Sequence, residues 1–318
     1  MTATREPGGP SIAVLGVGGV GGYLGGRLAA AGCDVQFLAR GEALAALRRS
    51  GLRVTGGEHD WSVPQVRTSG DPKDIGEVDF VLLCVKTPQL PAAVDALFPM
   101  LGEDTAVVTL QNGVEAPAQV AAAIGRDRVL PGTVRIVATT AGPGEIRHMG
   151  PPGALGFAEW DGSASPRVKR LREALRNASV AAPEPSDIWA DLWAKFLLVV
   201  PIGSLGAACG ATVGELRSRA GTRKILIAGM REMYETGVAL GIALPDDAVD
   251  AATARMDLQP PDVTSSLQRD ILEGRPSELE AWTGAAVRLA GRAGLAAPVH
   301  DMLYELLALS VSRAARTA

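Results

Sequence analysis

The sequence predicts an α/β chain of two domains, a doubly covered sheet domain followed by an all-helical one, and three observations carry that prediction. Near the start, an apolar run ends in glycines at 16, 18 and 21 and passes into small residues that continue as a helix. Through the first half, strand-like apolar runs at residues 35–38, 80–85, 105–110 and 129–138 alternate with helix-compatible stretches, the pattern of a parallel sheet covered on both faces. After Pro183 and Pro185 the alternation stops, and only long helical periodicities follow. A length of 318 residues suits about two domains. The expected division is a disordered leader over residues 1–10, a nucleotide-binding domain over 11–185 and a helical domain over 186–318.

The leader, M-T-A-T-R-E-P-G-G-P, lacks the apolar core of a signal peptide, so the expected compartment is the cytoplasm. Next comes I-A-V-L-G-V-G-G-V-G-G. A residue without Cβ at Gly16 allows the tight turn from strand to helix, one at Gly18 lets the backbone approach a pyrophosphate, and Gly21 lets the helix lie against the strand. With Gly19 and Val20, these residues open a helix whose unpaired N–H groups and positive dipole end suit phosphate. The helix over 19–32 places Leu24, Leu28 and Ala31 on one face, and the strand at 35–38 completes a Rossmann βαβ unit for a dinucleotide. An NAD site places a carboxylate after this second strand; here the residues are Leu38-Ala39-Arg40-Gly41. Arg40 can pair bidentately with a 2′-phosphate, which favours NADP(H); the alternative is a solvated surface arginine.

Residues 51–67, rich in Val, Thr and Gly, read as an inserted hairpin, and 136–156 as a further β-rich excursion. Two strands end in polar residues, Lys86-Thr87-Pro88-Gln89 and Gln111-Asn112-Gly113. Ligands of open α/β folds lie beyond the carboxyl ends of the strands, so Lys86 and Asn112 are candidates to face ribose, nicotinamide or substrate, in a crevice roofed by the helical domain. The plainer alternative is a surface lysine and an Asn-Gly turn.

In the second half, Lys195 begins an uncharged run over 196–214. That run is long enough to span a bilayer, but Pro201, Ser204, Thr212 and four glycines favour a buried helix pair. A lysine starting an apolar helix is a usable proton donor once desolvation lowers its pKa; a lysine snorkelling at the helix edge is the alternative. Further helices are expected through Leu226, Met230, Met233, Gly237 and Leu240, ended by Gly241 and Pro245, then over 278–293 and 299–315.

Charge is mildly acidic, 31 basic against 35 acidic residues, with no basic stripe, so nucleic acid and anionic membrane are excluded as expected partners. Cys33, Cys84 and Cys209 have no paired spacing and read as buried thiols in a reducing compartment, with neither disulfide nor metal site.

The order of motifs, G-V-G-G-V-G, L-A-R, V-K-T-P-Q, L-Q-N-G-V, W-x-K-F, T-S-S-L-Q-R-D and P-S-E-L-E, resembles the ketopantoate reductases, or 2-dehydropantoate 2-reductases. The resemblance extends to G-I-A-L-P and G-L-A-A-P-V-H-D-M-L-Y and covers nearly all of the chain after the leader. It implies a helical domain like the C-terminal one of 6-phosphogluconate dehydrogenase, and NADPH-dependent reduction of 2-dehydropantoate to pantoate in pantothenate and CoA biosynthesis. It further implies that Lys195 is the catalytic lysine and Glu278 the catalytic-site glutamate, and that Ser266 contacts substrate. Lys86 and Asn112 then contact cofactor and substrate, Arg40 takes the 2′-phosphate, and Gln89 lies at the cofactor.

Three positions depart from the pattern. Where the family carries asparagines one and two turns after the lysine, this chain has Val199 and Gly203; where it carries one three residues before the serine, this chain has Val263. Each lost amide removes a hydrogen bond to a hydroxylated substrate, worth about 1–3 kcal/mol when the hydroxyl is buried. A paralogue acting on a bulkier or less hydroxylated 2-keto acid is therefore one alternative, with a more apolar pocket wall that is smaller at residue 203. Pro201 can also redirect the residues after Lys195. A non-catalytic NADPH-binding regulator is a second alternative, disfavoured by the joint presence of Lys195 and Glu278. The helical domain carries enough apolar surface for a homodimer.

Overall fold

In the computed structural model, residues 9–317 are described, so most of the expected leader lies outside the described residues. The chain divides into two units, one comprising the residues up to Gln111 with Ala116–Ile188, the other Asn112–Glu115 with the residues from Trp189 onward.

The first unit starts with the apolar strand β1 (Ser11–Leu15), the helix α1 (Gly19–Ala30) and β2 (Asp34–Leu38). After α2 (Gly41–Ser50) come the short strands β3 (Leu52–Gly56), β4 (Trp61–Val63) and β5 (Arg67–Ser69). Then follow β6 (Val78–Leu83), α3 (Leu90–Leu97), β7 (Leu101–Thr109), α4 (Ala116–Ile124), β8 (Val129–Gly142), β9 (Glu145–Phe157) and α5 (Pro166–Asn177). Among the described residues the nine strands form one sheet in the order β4-β3-β9-β8-β7-β6-β1-β2-β5. β1 pairs in parallel with β2 on one side and β6 on the other, so the strand order reverses at β1, the position where such sheets bind ligand.

Alternate residues of the central strands feed two cores. Ile12, Val14, Phe80 and Leu82 point to one face and Ala13, Leu15, Val81 and Leu83 to the other, so the sheet is covered on both sides. The sheet is mixed where a parallel one was expected, because β8 and β9 are joined by only two residues and such a link permits only an antiparallel pair. The expected insertion over 51–67 is the antiparallel pair β3–β4, and β3 also joins β9 in parallel.

The second unit is helical: α6 (Ile188–Cys209), α7 (Val213–Ser218), α8 (Ala220–Ala239), α9 (Ala248–Asp257), α10 (Ser266–Leu272), α11 (Thr283–Arg292) and α12 (Pro298–Thr317). Two details differ from expectation. α6 is one 22-residue helix that runs through Pro201, with 72% of its most apolar window buried; only α7, started by a Thr212–Glu215 capping box, follows as the short second member. The Pro201 ring lies against Gly229 of α8, where a Cβ would stand 3.2 Å from it, so the missing side chain there makes room for it. The run expected over 278–293 is broken at Trp282 (φ −103°, ψ −87°) into a 3₁₀ turn, Leu279–Ala281, and α11.

The thiols also differ from expectation. Cys209 is exposed and donates to the Leu205 carbonyl, whereas Cys33 and Cys84 are half-buried and burial pushes both thiols above their ordinary range. No cluster of His, Cys, Asp or Glu side chains fit to hold a metal occurs among the described residues.

Candidate active site

In the first unit, the turn after β1 is built from backbone that leaves no space for side chains. A Cβ on Gly16 (φ +96°) would lie 2.8 Å from the Val85 nitrogen at the end of β6, and one on Gly21 would lie 2.0 Å from the Gly16 carbonyl oxygen. A Cβ on Gly19 would lie 2.2 Å from the Ala138 oxygen of β8, so its lack of a side chain serves packing. Gly18 differs, because nothing stands within 4 Å of where its Cβ would be. It is the N-cap of α1, whose first turn carries neither a capping side chain nor an acid, and Val20 is half-buried in that turn. Open space over a helix N-terminus with unsatisfied amides fits a pyrophosphate. Arg40 is exposed at the N-cap of α2, directly after β2.

Lys86 and Gln89 are exposed on the 3₁₀ turn that follows β6. A residue not singled out from the sequence fixes this region: Gln111 is buried, and its amide nitrogen donates to the carbonyls of Leu83 (2.8 Å) and Val85 (3.0 Å), tying the end of β7 to the end of β6. The signal available in the sequence was a glutamine directly after an apolar strand, read there only as the neighbour of Asn112.

In the second unit, three of the expected residues meet. Lys195, half-buried early in α6, donates from Nζ to Asn112 Oδ1 at 2.8 Å, and Asn112 Nδ2 donates to Glu278 Oε2 at 3.3 Å. The amide presents its acceptor to a cation and its donors to an anion, which fixes its orientation. Glu278 is only 6% exposed and N-caps the 3₁₀ turn, whose Ala281 carbonyl presses on Gly113 (φ +99°), 2.7 Å from where a Cβ would be. Gly113 thus brings the Asn112 segment against the turn that carries Glu278. The ammonium is presented by a helix, held by an amide and backed by a carboxylate, an arrangement able to stabilise and protonate an oxygen that gains negative charge.

Val199 and Gly203 lie one and two turns after Lys195 on the same face of α6. Val199 is half-buried and Gly203 buried. The absent side chain at 203 leaves no gap, because a Cβ there would be 2.6 Å from the Trp282 ring and 3.2 Å from Ser265 Oγ. Ser265 is the N-cap of α10 and accepts from the Gln268 N–H at 3.0 Å; Ser266, the first residue of that helix, is half-buried. Val263 is half-buried, its carbonyl accepting from the Val213 N–H at 3.0 Å. The structure therefore brings Lys195, Asn112 and Glu278 into one hydrogen-bonded chain, with Val199 and Gly203 on the lysine's helix face.

The family model described as ketopantoate reductase PanE/ApbA matches residues 12–162, and its C-terminal counterpart matches residues 187–310. A 2-dehydropantoate 2-reductase of Mesorhizobium japonicum is 32% identical, over 93% of this chain and 96% of the relative. The crystal structure of the 2-dehydropantoate 2-reductase from Geobacter metallireducens superimposes with a TM-score of 0.89 at 29% identity, covering 94% of this chain and 99% of that one. A D-mandelate dehydrogenase with NADH and anilino(oxo)acetate shares the fold, with a TM-score of 0.88 at 20% identity over 96% of this chain and 99% of that one.

Proposed function

Because this chain belongs to the ketopantoate reductase family of oxidoreductases, we propose that it uses NADPH to reduce a 2-keto acid of the 2-dehydropantoate class, with Lys195 at the carbonyl oxygen. The observation that carries this reading is the chain Lys195–Asn112–Glu278, an ammonium held and backed for proton delivery.

The cofactor would be held by Gly16, Gly18, Gly19, Val20 and Gly21 at its pyrophosphate, by Arg40 at its 2′-phosphate, and by Lys86 and Gln89 after β6. Open space over Gly18 and the uncapped start of α1 fit that group. NADPH supplies the hydride that adds to the carbonyl carbon. As the carbonyl electron pair moves onto oxygen, Lys195 stabilises the developing alkoxide and delivers a proton to it, leaving a 2-hydroxy acid and a neutral amine that solvent reprotonates. Asn112 directs the ammonium through its carbonyl oxygen, and Glu278 fixes the amide and backs the proton delivery. Ser266, at the first turn of α10, is assigned to the substrate carboxylate.

With 2-dehydropantoate the product is pantoate, and the step belongs to cytoplasmic pantothenate synthesis. One observation favours a less hydroxylated substrate within the same class: the helix face beyond Lys195 carries Val199 and Gly203 and offers no amide. A homodimer is compatible with either substrate, since Met302, Leu306 and Leu309 form an exposed apolar stripe on α12. The test is NADPH oxidation, followed by its near-ultraviolet absorbance, with 2-dehydropantoate beside a panel of branched and aromatic 2-keto acids. Saturable turnover of a 2-keto acid is expected; tight NADPH binding with no turnover on any of them would overturn the proposal in favour of a regulatory binder.

A further inference from the structure

We propose that Trp282 is a specificity-determining residue: its indole stands over Gly203 in the space of a longer side chain, forming an apolar end wall that selects a 2-keto acid without a hydroxyl. The inference rests on the reductase reading of the Lys195 site.

Lys195, Val199 and Gly203 recur every fourth residue and so share one face of α6, about 6 Å apart along the axis. Lys195 and Val199 are half-buried, whereas Gly203 is buried, so the accessible part of this face ends at the indole. Contact there is close enough to exclude any substituent: a Cβ on Gly203 would lie 2.6 Å from one benzo carbon of Trp282 and 3.0 Å from the next. An amide at 203 and an indole at 282 are therefore mutually exclusive.

The wall is tied to the catalytic turn. The Trp282 backbone N–H donates to the carbonyl oxygen of Glu278 at 3.0 Å, so the indole and the carboxylate that backs the Lys195–Asn112 pair are fixed on one turn of chain. Trp282 is 3% exposed, and its indole N–H finds no acceptor among the described residues. The benzo edge faces Gly203 and the N–H lies on the opposite edge of the ring, so what the tryptophan offers α6 is hydrocarbon. A substrate anchored by its keto oxygen at Lys195, with its side chain running along this face, meets Val199 and then the indole; the nearest polar atom, Ser265 Oγ, stands 3.2 Å from where a Gly203 Cβ would be and already accepts from the Gln268 N–H.

The experiment compares 2-dehydropantoate with trimethylpyruvate, the same skeleton without the hydroxyl, by kcat/KM in the wild type, in Trp282→Leu and in Gly203→Asn/Trp282→Leu. An apolar pocket disfavours an added hydroxyl by up to about 100-fold. The wild type should favour trimethylpyruvate at least tenfold. Trp282→Leu should reduce that ratio, and the double variant should move it at least tenfold toward 2-dehydropantoate, with NADPH affinity unchanged in both. Gly203→Asn alone should fail to fold or lose stability, because the indole is still present. Turnover with a substrate ratio within twofold of wild type in both Trp282 variants, or wild-type preference for the hydroxylated acid, would overturn this inference alone. Absence of turnover on any 2-keto acid would overturn the reductase reading, and this one with it.

Discussion

Asn112→Ala removes the centre of the Lys195–Asn112–Glu278 chain while leaving both charged ends in place. It cuts a 2.8 Å bond from an ammonium and a 3.3 Å bond to a carboxylate that is 6% exposed. Hydrogen bonds to charged groups contribute about 1.5–3 kcal/mol each, and water entering the vacated space recovers part of this. If the bond to Lys195 is the one that reaches the transition state, the barrier rises by about 1.5–3 kcal/mol and kcat falls roughly 10- to 150-fold. Binding of NADPH should weaken less than turnover does, since the phosphate-binding turn belongs to the other unit. The assay is steady-state NADPH oxidation with the best 2-keto acid, taken as a pH profile. Asn112→Asp gives a second readout: it sets a carboxylate beside that of Glu278, and two such groups do not both ionise readily, so activity should acquire a new pH dependence. A kcat/KM within about twofold of wild type and an unaltered pH profile in Asn112→Ala would refute the reasoning.

Arg40→Ala should weaken NADPH binding by roughly 10- to 100-fold, the equivalent of one or two charge-assisted bonds to the 2′-phosphate, and leave NADH affinity unchanged; a parallel loss for both cofactors would contradict the assignment. Away from the site, the Glu159 carboxyl is raised by burial, but hydrogen bonds from Arg167 (2.7 and 2.6 Å) and Ser165 outweigh this and hold it below the ordinary carboxylate range. A lowered folded-state pKa gives stability that is full above the ordinary value of about 4.3 and is lost as pH falls through the folded value. Glu159→Gln should therefore cost about 1–2 kcal/mol at neutral pH and lessen the acid sensitivity of chemical denaturation below about pH 4; equal slopes in both proteins would contradict the pairing.

What could be read from the sequence was what neighbours in the chain decide. Glycines at 16, 18 and 21 after an apolar strand specify a turn by local sterics, and β1, α1 and β2 stand where that spacing placed them. Apolar runs alternating with helices predict a parallel sheet; the two-residue link between β8 and β9 is a local feature too, but a β-rich stretch over 136–156 carries no pairing direction in its composition. Pro201 suggested a break in the helix, and α6 nevertheless continues through it, with the ring against Gly229, 28 residues away.

Residues of the site were legible as types and as matches to a family, but their geometry was not. Asn112 lies 83 residues from Lys195 and 166 from Glu278, separations at which no periodicity operates. Gly203 shows the same limit more sharply. From the sequence it was a missing asparagine on a smaller pocket wall, and only the fold reveals that Trp282, 79 residues later, already occupies the space.

The most direct test of the central claim is single-turnover hydride transfer to the preferred 2-keto acid in wild type and Lys195→Ala, with NADPH affinity measured on the same samples. The account predicts that the variant binds NADPH nearly as tightly as wild type and transfers hydride slower by a factor on the order of 100 or more. Near-normal transfer in Lys195→Ala would contradict it, because the oxyanion would then be stabilised and protonated by some other group.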